Sequence, residues 1–261
     1  MSDGLLTLSR EQKSFFDDHG FLHLPGFYSG QQLQRLRDEY HQLVTHTDER
    51  PANLSYSYMD PAEGYPPDDY NPKNVVGMMD QVMASDFWID HFTEPRLVGA
   101  MVDCLGQDLD FHNGKVRNKP PGFESTQGWH QDWPYELHSK PELAAAITYL
   151  DPTDFEAGAT EVIPQSHLAA LPTEEDKSTL IQQDVDESKA VVCKADAGDV
   201  VVIHVLAVHR AGHNFTERSR NAIINEYKSA GAIDKWNNRC ALAGMPLARG
   251  GRQLMPRLTD W

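Results

Sequence analysis

The pattern of apolar and polar residues divides the chain into a helical part and a β-rich part. Over residues 33–44, apolar side chains recur at spacings of three and four, the period of an amphipathic helix. Ser9, followed by Gln three residues later, matches a capping box and predicts a helix that ends near Gly20. A further helix is predicted over about 95–105. We therefore expect the N-terminal part, about 9–105, to be mainly helical.

The pattern changes after about residue 105. The apolar segments become short and rich in Val, Ile, Thr and aromatic side chains, and turn signals rich in Gly, Pro and Asp separate them. This texture predicts a sandwich, jelly roll or barrel. We expect a β-rich core over about 106–230 and a C-terminal extension over about 231–261. The predicted strands are 108–118, 128–135, 143–150, 159–163, 189–194, 199–209 and 221–228.

Two features of the N-terminal part depart from the helical pattern. Residues 21–24 predict a short strand that ends at the Pro-Gly pair at 25–26. Residues 49–74 are rich in Pro, Asp, Asn and Tyr, which predicts a long irregular loop. Loops of that length are often functional, so both a lid and an ordinary surface loop stay open as interpretations.

The sequence WHQDWPYE, residues 129–136, contains the first candidate for metal binding. On a strand, side chains two residues apart share a face, so His130 and Asp132 would project together and Gln131 would point the other way. An imidazole and a carboxylate on one face supply two ligands to a divalent ion. The other His-x-Asp, at 46–48, falls at the end of a predicted helix, where residues two apart face different ways, so we exclude it.

A third ligand is predicted where the next apolar strand ends. Residues 199–209 predict one continuous strand, on which His209 shares a face with Val201 and Ile203. The end of a strand opens toward loops, where sites form. His204 would lie on the opposite face, and we interpret it as a structural or surface histidine.

Two histidines and one carboxylate, with the remaining positions open, form the ligand set of non-haem Fe(II) oxygenases. A structural zinc site would need four protein ligands. Arg220 follows His209 by eleven residues, at the start of the next predicted strand. A guanidinium binds a carboxylate through two parallel hydrogen bonds. Because 2-oxoglutarate chelated to iron leaves its second carboxylate pointing away from the metal, we expect Arg220 to hold that group.

The composition excludes several classes of function. The formal net charge of −16 argues against general binding to nucleic acid or to anionic membranes, since both attract an excess of Lys and Arg. No apolar segment is long enough to span a bilayer, and the N-terminus has no secretory pattern. The three cysteines are widely spaced and odd in number, so no disulfide framework is expected. These features predict a cytoplasmic protein that acts on a small molecule, of unknown oligomeric state.

Four stretches of the sequence together resemble the phytanoyl-CoA dioxygenase-like family of Fe(II)/2-oxoglutarate oxygenases. They are DDHGFLHLPGFYSGQQLQRLRDE near the N-terminus, NKPPG before WHQD, EAGATEVIPQSH, and GDVVVIHVLAVHRAGHN followed by Arg220. Any one of them is weakly specific, whereas the set is specific. The resemblance implies a single domain over residues 1–261. It would be mainly β with flanking α-helices, built on a double-stranded β-helix core of the jelly-roll or cupin-like type.

The resemblance also assigns roles to individual residues. It implies that His130, Asp132 and His209 bind Fe(II) and form the catalytic centre, and that Arg220 anchors the cosubstrate 2-oxoglutarate. Lys115 matches a family position that contacts the cosubstrate, and Thr160 would donate a second hydrogen bond to it. We also expect a cosubstrate contact from the remaining residue of the His-x-Asp motif, Gln131.

Substrate contacts are expected from side chains near the ligands. Aromatic residues flank the His-x-Asp motif, and packing in the core or in a lid is an equally good interpretation of them. Residues 117–118 lie on the strand that leads into the site, and because neighbours on a strand face opposite ways, at most one is expected to point inward. The candidates are Trp133, Tyr135, Asn118 and Arg117.

The predicted function is that of an Fe(II)- and 2-oxoglutarate-dependent dioxygenase, which uses O2 to hydroxylate an unactivated C–H bond and forms succinate and CO2. Family members that halogenate have a small residue in place of Asp132, so the carboxylate implies hydroxylation or a related oxidation. Desaturation, cyclisation and epimerisation stay open. The main alternative is a cupin-like isomerase or hydrolase that activates a metal-bound water without 2-oxoglutarate. A non-catalytic binding protein is a third class, which the intact ligand set disfavours.

Overall fold

The computed structural model describes residues 4–45, 55–58, 75–123, 128–170, 185–235 and 240–254. The α-helices of these residues are α1 (Arg10–His19), α2 (Gly30–Thr45), α3 (Asp86–Phe92) and α4 (Pro95–Leu105). The first six strands are β1 (Phe21–Leu24), β2 (Ser55–Tyr58), β3 (Val75–Met79), β4 (Leu109–Lys119), β5 (Leu143–Tyr149) and β6 (Thr160–Val162). The others are β7 (Val191–Val192), β8 (Val200–His204), β9 (His209–Ala211), β10 (Arg220–Ser229), β11 (Pro246–Arg249) and β12 (Arg252–Gln253).

The strands form two antiparallel sheets. In the large sheet the order is β1-β8-β5-β10-β4-β11-β12, with β3 also paired to β4 and β2 paired to β3. The small sheet has the order β7-β6-β9. Between β5 and β10 the chain crosses repeatedly between the two sheets, as in a jelly roll: β5, β8 and β10 belong to the large sheet, and β6, β7 and β9 belong to the small one. The predicted fold, a double-stranded β-helix core with flanking helices, is confirmed.

The helices cover one face of the large sheet and leave the other face to line a cavity. Along β8, Val200 and Val202 pack with helical residues such as Leu97, whereas Val201 and Ile203 belong to a separate apolar cluster on the inner face. Because both faces are covered, β5 is buried at every position. This explains why these strands are apolar runs rather than alternating patterns.

The predicted ends of the first helix are confirmed. The Ser9 hydroxyl accepts a hydrogen bond from the backbone NH of Gln12, and the Gln12 side chain accepts one from the NH of Ser9. Gly20 ends α1 with a φ of 79°, a left-handed conformation that glycine adopts without a steric penalty. The predicted strand over 21–24 and the predicted helix over 95–105 are confirmed as β1 and α4.

The strand predicted over 128–135 is wrong. Only His130 pairs there, in an isolated bridge with His209. The backbone NH groups of Tyr135 and Glu136 then bond the carbonyl of Asp132 at 2.9 and 3.0 Å, which makes residues 132–136 a turn. The aromatic residues that gave this segment its strand-like composition have other roles: Trp133 packs against an apolar cluster, and the ring of Tyr135 meets that of His130.

The strand predicted over 199–209 is interrupted. β8 ends at His204, and the NH of Ala207 bonds the carbonyl of His204 at 2.8 Å. The chain then crosses to the small sheet and begins β9 at His209. Residues 205–208 are buried in the crossover. Because a buried crossover and a buried strand are both apolar, the sequence pattern alone does not distinguish them.

Both ends of the chain contribute strands to the large sheet. β1 pairs with β8, and β11 pairs with β4, so the sheet includes segments from outside the predicted core of 106–230. Within the predicted loop 49–74, residues 55–58 form β2, which corrects that part of the prediction, and the rest of the loop lies outside the described residues. In the described part of the chain, no helix has both the length and the apolar character needed to cross a membrane.

The buried carboxylate of Asp103 fixes the segment before α1 to α4. It accepts hydrogen bonds from the backbone NH groups of Leu6, Thr7 and Leu8, each at 2.8 Å. Leu8 is itself buried in the core. Three backbone donors therefore depend on one side chain.

Replacing Asp103 with Asn is expected to lower the free energy of unfolding by about 2–3 kcal/mol, because a neutral amide accepts fewer and weaker hydrogen bonds from these NH groups. Urea unfolding followed by circular dichroism measures the change. Asp90→Asn, which alters an exposed residue of α3, is the matched control and should stay within about 0.5 kcal/mol of the parent. Equally small effects in both variants would contradict the role of Asp103.

Candidate active site

Two backbone hydrogen bonds bring His130 and His209 together. The NH of His130 donates to the carbonyl of His209 at 3.0 Å, and the NH of His209 donates to the carbonyl of His130 at 2.9 Å. The segment after β4 is thereby attached to the edge of the small sheet at β9. The two imidazole centroids lie 4.2 Å apart.

Asp132 completes a group of three potential metal ligands. Its carboxylate oxygens lie 3.6 Å from Nε2 of His130 and 3.8 Å from Nε2 of His209. The ligand atoms of the three residues all lie within 4.8 Å of one another. The turn that begins at Asp132 keeps its carboxylate on the same side as the two imidazoles, although the segment is not a strand.

The hydrogen bonds of the two imidazoles prepare them for a metal. Nδ1 of His130 lies 2.9 Å from the carbonyl oxygen of Gly128, and Nδ1 of His209 lies 2.9 Å from that of Ala207. A carbonyl oxygen only accepts, so we assign the proton of each ring to Nδ1, which leaves the lone pair of Nε2 for a ligand bond. Two nitrogen donors and one carboxylate fit Fe(II).

The charges of the group also suit a cation. Burial, followed by the neighbouring His130, lowers the pKa of His209 to about 4, so that its imidazole is neutral at neutral pH. Burial alone would raise the pKa of Asp132, but His209, His130 and Lys115 together hold it well below its usual range. The site therefore presents a neutral imidazole and a carboxylate to a metal without first losing a proton from either.

A cavity of about 460 Å³ adjoins the three ligands. Its floor is apolar and includes Ile147, Ile203 and Ile224 of the large sheet. Alternate residues of β4 face it and carry three cations, Lys115, Arg117 and Lys119. The cavity thus combines an apolar floor with charged positions at defined places along one strand.

Arg220 and Lys119 form a buried pair of cations in this cavity. They lie opposite each other in the β10–β4 pairing. Arg220 donates from Nη2 to the carbonyl of Gly158 at 3.0 Å, and Lys119 donates from Nζ to the carbonyl of Gly212. The Nε of Arg220 is buried and has no hydrogen-bond partner among the described residues. The structure thus brings Arg220 to the cavity, with a donor left for a ligand.

Lys119 was not identified as a site residue from the sequence, where NKPPG contributed only to the family resemblance. The spacing of Lys115, Arg117 and Lys119 was the signal that could have identified it, because residues two apart on a strand share a face. Burial and the adjacent Arg220 lower the pKa of Lys119 to about 7. Neither cation forms an ion pair with a carboxylate of the described residues, so a bound anion would stabilise both.

Thr160 lines the same cavity. Its hydroxyl lies 2.9 Å from the hydroxyl of Tyr149, over whose ring the guanidinium of Arg220 sits at 5.5 Å from the centroid. Tyr149 thus connects the small sheet at Thr160 with the cation at the start of β10. The structure brings both Thr160 and Arg220, predicted as cosubstrate residues, to one region.

Lys115 lies in the cavity, but its ammonium is already paired. Nζ is 2.5 Å from Oε1 of Glu226. In the β4–β10 pairing Lys115 lies opposite Ile224. It is four residues before Lys119 on β4. The electrostatic influence of Lys115 reaches Asp132 and His209. Its position is therefore beside the metal ligands and Glu226, away from the Arg220–Lys119 pair.

The structure corrects the assignments of Gln131 and Trp133. The amide of Gln131 donates to the carbonyls of Ala169 and Leu206 at 2.9 and 2.6 Å, and this side chain is fully buried outside the cavity lining. Trp133 packs against the apolar cluster that contains Leu143 and does not line the cavity. The same turn that presents Asp132 to the cavity directs both side chains into the protein.

The remaining substrate candidates line the cavity. Tyr135 is 48% exposed, and its ring meets that of His130 edge-on at 6.2 Å, so it stands at the mouth beside a metal ligand. Arg117 and Asn118 both contribute to the lining. Arg117 shares the strand face of Lys115 and Lys119.

A second group of potential ligands lies next to the cavity. The ligand atoms of His112, Glu136 and Glu226 also fall within 4.8 Å of one another. However, Nε2 of His112 lies 2.5 Å from Glu136, and Asn113 donates to Glu226 at 2.7 Å and to Glu136 at 3.3 Å. Lys115 contacts Glu226 as well. Because each carboxylate already has donors, we interpret this group as a hydrogen-bonded wall of the cavity.

The sequence is similar to a family model and to named dioxygenases. The family model for Phytanoyl-CoA dioxygenase (PhyH) matches residues 16–222. A probable alpha-ketoglutarate-dependent hypophosphite dioxygenase of Stutzerimonas stutzeri is 21% identical over 85% of this chain and 79% of its own. The peroxisomal phytanoyl-CoA dioxygenase of Rattus norvegicus is 26% identical over 86% of this chain and 69% of its own.

Solved structures share the fold. The non-heme alpha ketoglutarate dependent carbocyclase SnoK from nogalamycin biosynthesis is 20% identical with a TM-score of 0.72, over 93% of this chain and 94% of its own. EctD from S. alaskensis, solved with 2-oxoglutarate and 5-hydroxyectoine, is 17% identical with a TM-score of 0.75, over 98% of this chain and 88% of its own. These similarities extend over nearly the whole chain.

The placement of Gln131 gives a prediction. Gln131→Leu is expected to leave the affinity for 2-oxoglutarate unchanged and to lower the free energy of unfolding by about 1–3 kcal/mol, because the buried carbonyl of Leu206 and the carbonyl of Ala169 lose their donor. Anaerobic calorimetric titration measures the affinity, and urea unfolding measures the stability. A tenfold loss of 2-oxoglutarate affinity would return Gln131 to the cosubstrate site.

Proposed function

The chain belongs to the phytanoyl-CoA dioxygenase (PhyH) family and is an Fe(II)- and 2-oxoglutarate-dependent dioxygenase, and we propose that it hydroxylates a C–H bond of a small molecule at a centre formed by His130, Asp132 and His209. The observation that supports this centre most strongly is the convergence of the three ligand atoms within 4.8 Å. The carbonyl partners of both Nδ1 atoms add to it, because they leave Nε2 free in each ring.

Under this proposal the three ligands hold Fe(II), and the bound metal and cosubstrate supply the oxygen activation that yields succinate, CO2 and the oxidised substrate. Asp132 contributes a charged ligand at neutral pH, since its pKa lies well below the usual range. The carbonyls of Gly128 and Ala207 orient the two imidazoles. Preorganised ligands of this kind remove the need to rearrange the site when the metal binds.

Arg220 and Lys119 are proposed to hold the distal carboxylate of 2-oxoglutarate. Two buried cations with no carboxylate partner among the described residues match an anionic group that enters the cavity. Thr160 would add a hydroxyl donor to the same ligand, with Tyr149 fixing its orientation. A guanidinium and an ammonium side by side provide both bidentate geometry and a point charge.

The walls of the cavity position the substrate and exclude water. The cavity of about 460 Å³ has to contain the cosubstrate as well, which limits the substrate to a small molecule. Tyr135 at the mouth, with Asn118 and Arg117 inside, is proposed to contact the substrate. The isoleucines of the floor keep the space over the metal ligands apolar, which favours a defined pose for the reacting C–H bond.

The cupin-like alternative without 2-oxoglutarate is not favoured, since a hydrolase or isomerase has no use for a buried pair of cations beside the metal ligands. We also propose that residues 1–261 form one catalytic domain, because β1, β3 and β11 pair within the same large sheet as the core strands. A cytoplasmic location is proposed because the three cysteines are widely spaced and odd in number, which fits a reducing compartment. No role in binding nucleic acid is proposed for so acidic a chain.

Anaerobic titration with Fe(II) and 2-oxoglutarate tests the proposed site. We expect a visible charge-transfer band from the chelated metal in the parent, and no band in Asp132→Ala or His209→Ala. Arg220→Met should weaken 2-oxoglutarate binding by about 30-fold or more, because a buried charge partner is lost. Arg252→Gln, an exposed arginine of β12, is the control and should match the parent. A full band in Asp132→Ala would contradict the proposal.

The lowered pKa of Lys119 gives a second prediction for this site. A carboxylate binds the protonated amine, so the affinity for 2-oxoglutarate should be constant below about pH 6 and should fall as the pH rises above about 7, by up to about tenfold per pH unit. Calorimetry in buffers of different ionisation enthalpy should show proton uptake on binding. Lys119→Met should remove both effects, and an unchanged pH profile in this variant would contradict the role of Lys119.

A further inference from the structure

Arg117 occupies a place on β4 that is shaped for a guanidinium. It pairs with Gly77 of β3 on one side and with Ala222 of β10 on the other. A Cβ atom at Gly77 would lie 2.1 Å from Nη1 of Arg117, so the guanidinium rests directly on the backbone of Gly77. Any larger residue at Gly77 would displace it.

Arg117 differs from the other cations of the cavity in its contacts with the rest of the described protein. Within the described ranges, its guanidinium makes no hydrogen bond and no ion pair. The two carboxylates nearest along the cavity wall have other donors, since Glu226 binds Lys115 and Asn113 and Glu136 contacts His112. Burial lowers the pKa of Arg117, although Glu226 opposes that shift.

A largely buried guanidinium without a counterion is costly, and such groups persist in proteins mainly where a ligand neutralises them. Its planar fork of donors matches the paired oxygens of a carboxylate or a phosphoryl group. The neighbouring strand on the Gly77 side is β3, whereas Arg220 lies on β10 at the opposite side of β4. An anion on Arg117 would therefore be separate from the cosubstrate carboxylate held by Arg220 and Lys119.

We propose that the substrate is a small molecule with an oxyanionic group, a carboxylate or a phosphonate, and that Arg117 binds this group against Gly77. The proposal rests on the function proposed above and adds the substrate class. Binding at Arg117 fixes one end of the substrate in the same cavity as His130, Asp132 and His209, so its C–H bonds are held within reach of the metal. Lys115 stays with Glu226 and does not serve as the anchor.

The first test compares two cations of the same strand in the Mn(II)- and 2-oxoglutarate-loaded protein. Arg117→Met should leave the melting temperature unchanged or raise it by about 2–4 °C, because it removes a partly buried charge that has no ion pair among the described residues. Lys115→Met should lower it by about 4 °C or more, because Glu226 loses its partner. If Arg117→Met lowers the melting temperature as much as Lys115→Met does, Arg117 is a structural residue and the inference is overturned.

The second test uses small carboxylic acids and alkylphosphonic acids, each paired with its neutral amide or diester. Each probe is added to the anaerobic Fe(II)–2-oxoglutarate complex, and its dissociation constant is taken from the change in the charge-transfer band. Only the anionic members should bind, and Arg117→Gln should weaken them by about 30-fold or more. Gly77→Ala should also weaken the binding of the anionic probes, because the added Cβ would displace the guanidinium of Arg117. Arg252→Gln is the unaffected control.

The outcomes separate this inference from the proposed function. A normal charge-transfer band with equal binding of neutral and anionic probes, unchanged in Arg117→Gln, overturns the oxyanion proposal and leaves the iron site intact. Absence of the band in the parent contradicts the proposed function itself. If only the carboxylic acids bind, the anionic group of the substrate is a carboxylate. If only the alkylphosphonic acids bind, it is a phosphonate. If neither the anionic nor the neutral probes bind in the parent, the oxyanion proposal is overturned as well.

Discussion

The site depends on the pair of backbone hydrogen bonds between His130 and His209. These bonds attach an otherwise irregular segment to the edge strand of the small sheet, and they place two imidazoles 4.2 Å apart. The turn that follows then directs Asp132 back toward them. Because main-chain hydrogen bonds contribute to this geometry, they reduce the conformational entropy that the ligands lose when a metal binds.

The rest of the cavity is organised by one strand. Alternate residues of β4 carry Lys115, Arg117 and Lys119, and each cation meets a different environment. Lys115 is neutralised within the protein by Glu226, Lys119 lies opposite Arg220 in the pair that we propose for the cosubstrate, and Arg117 is the position we assign to the substrate. A strand face with a period of two residues thus separates three charges along one wall. Under the two proposals, their spacing lets two anionic ligands occupy one cavity above the apolar floor.

Much of this arrangement is predictable from the sequence, and the limits have physical causes. Local signals such as the capping box at Ser9 and the apolar runs of the core strands were sufficient for the fold class. The crossover at 205–208 was not predictable, because it is as buried and apolar as a strand. The segment 128–135 has strand-like composition, yet its conformation is set by a tertiary bridge to His209. Lys119 was missed because its importance arises from Arg220, which the fold places opposite it.

The most direct test is a crystal structure of the anaerobic Fe(II)–2-oxoglutarate complex, with anomalous scattering recorded at the iron edge. The account predicts one iron peak within bonding distance of Nε2 of His130, a carboxylate oxygen of Asp132 and Nε2 of His209. It also predicts the distal carboxylate of 2-oxoglutarate between Arg220 and Lys119. An iron peak elsewhere, for example among the carboxylates of the cavity wall, or a cosubstrate that does not contact Arg220, would contradict it.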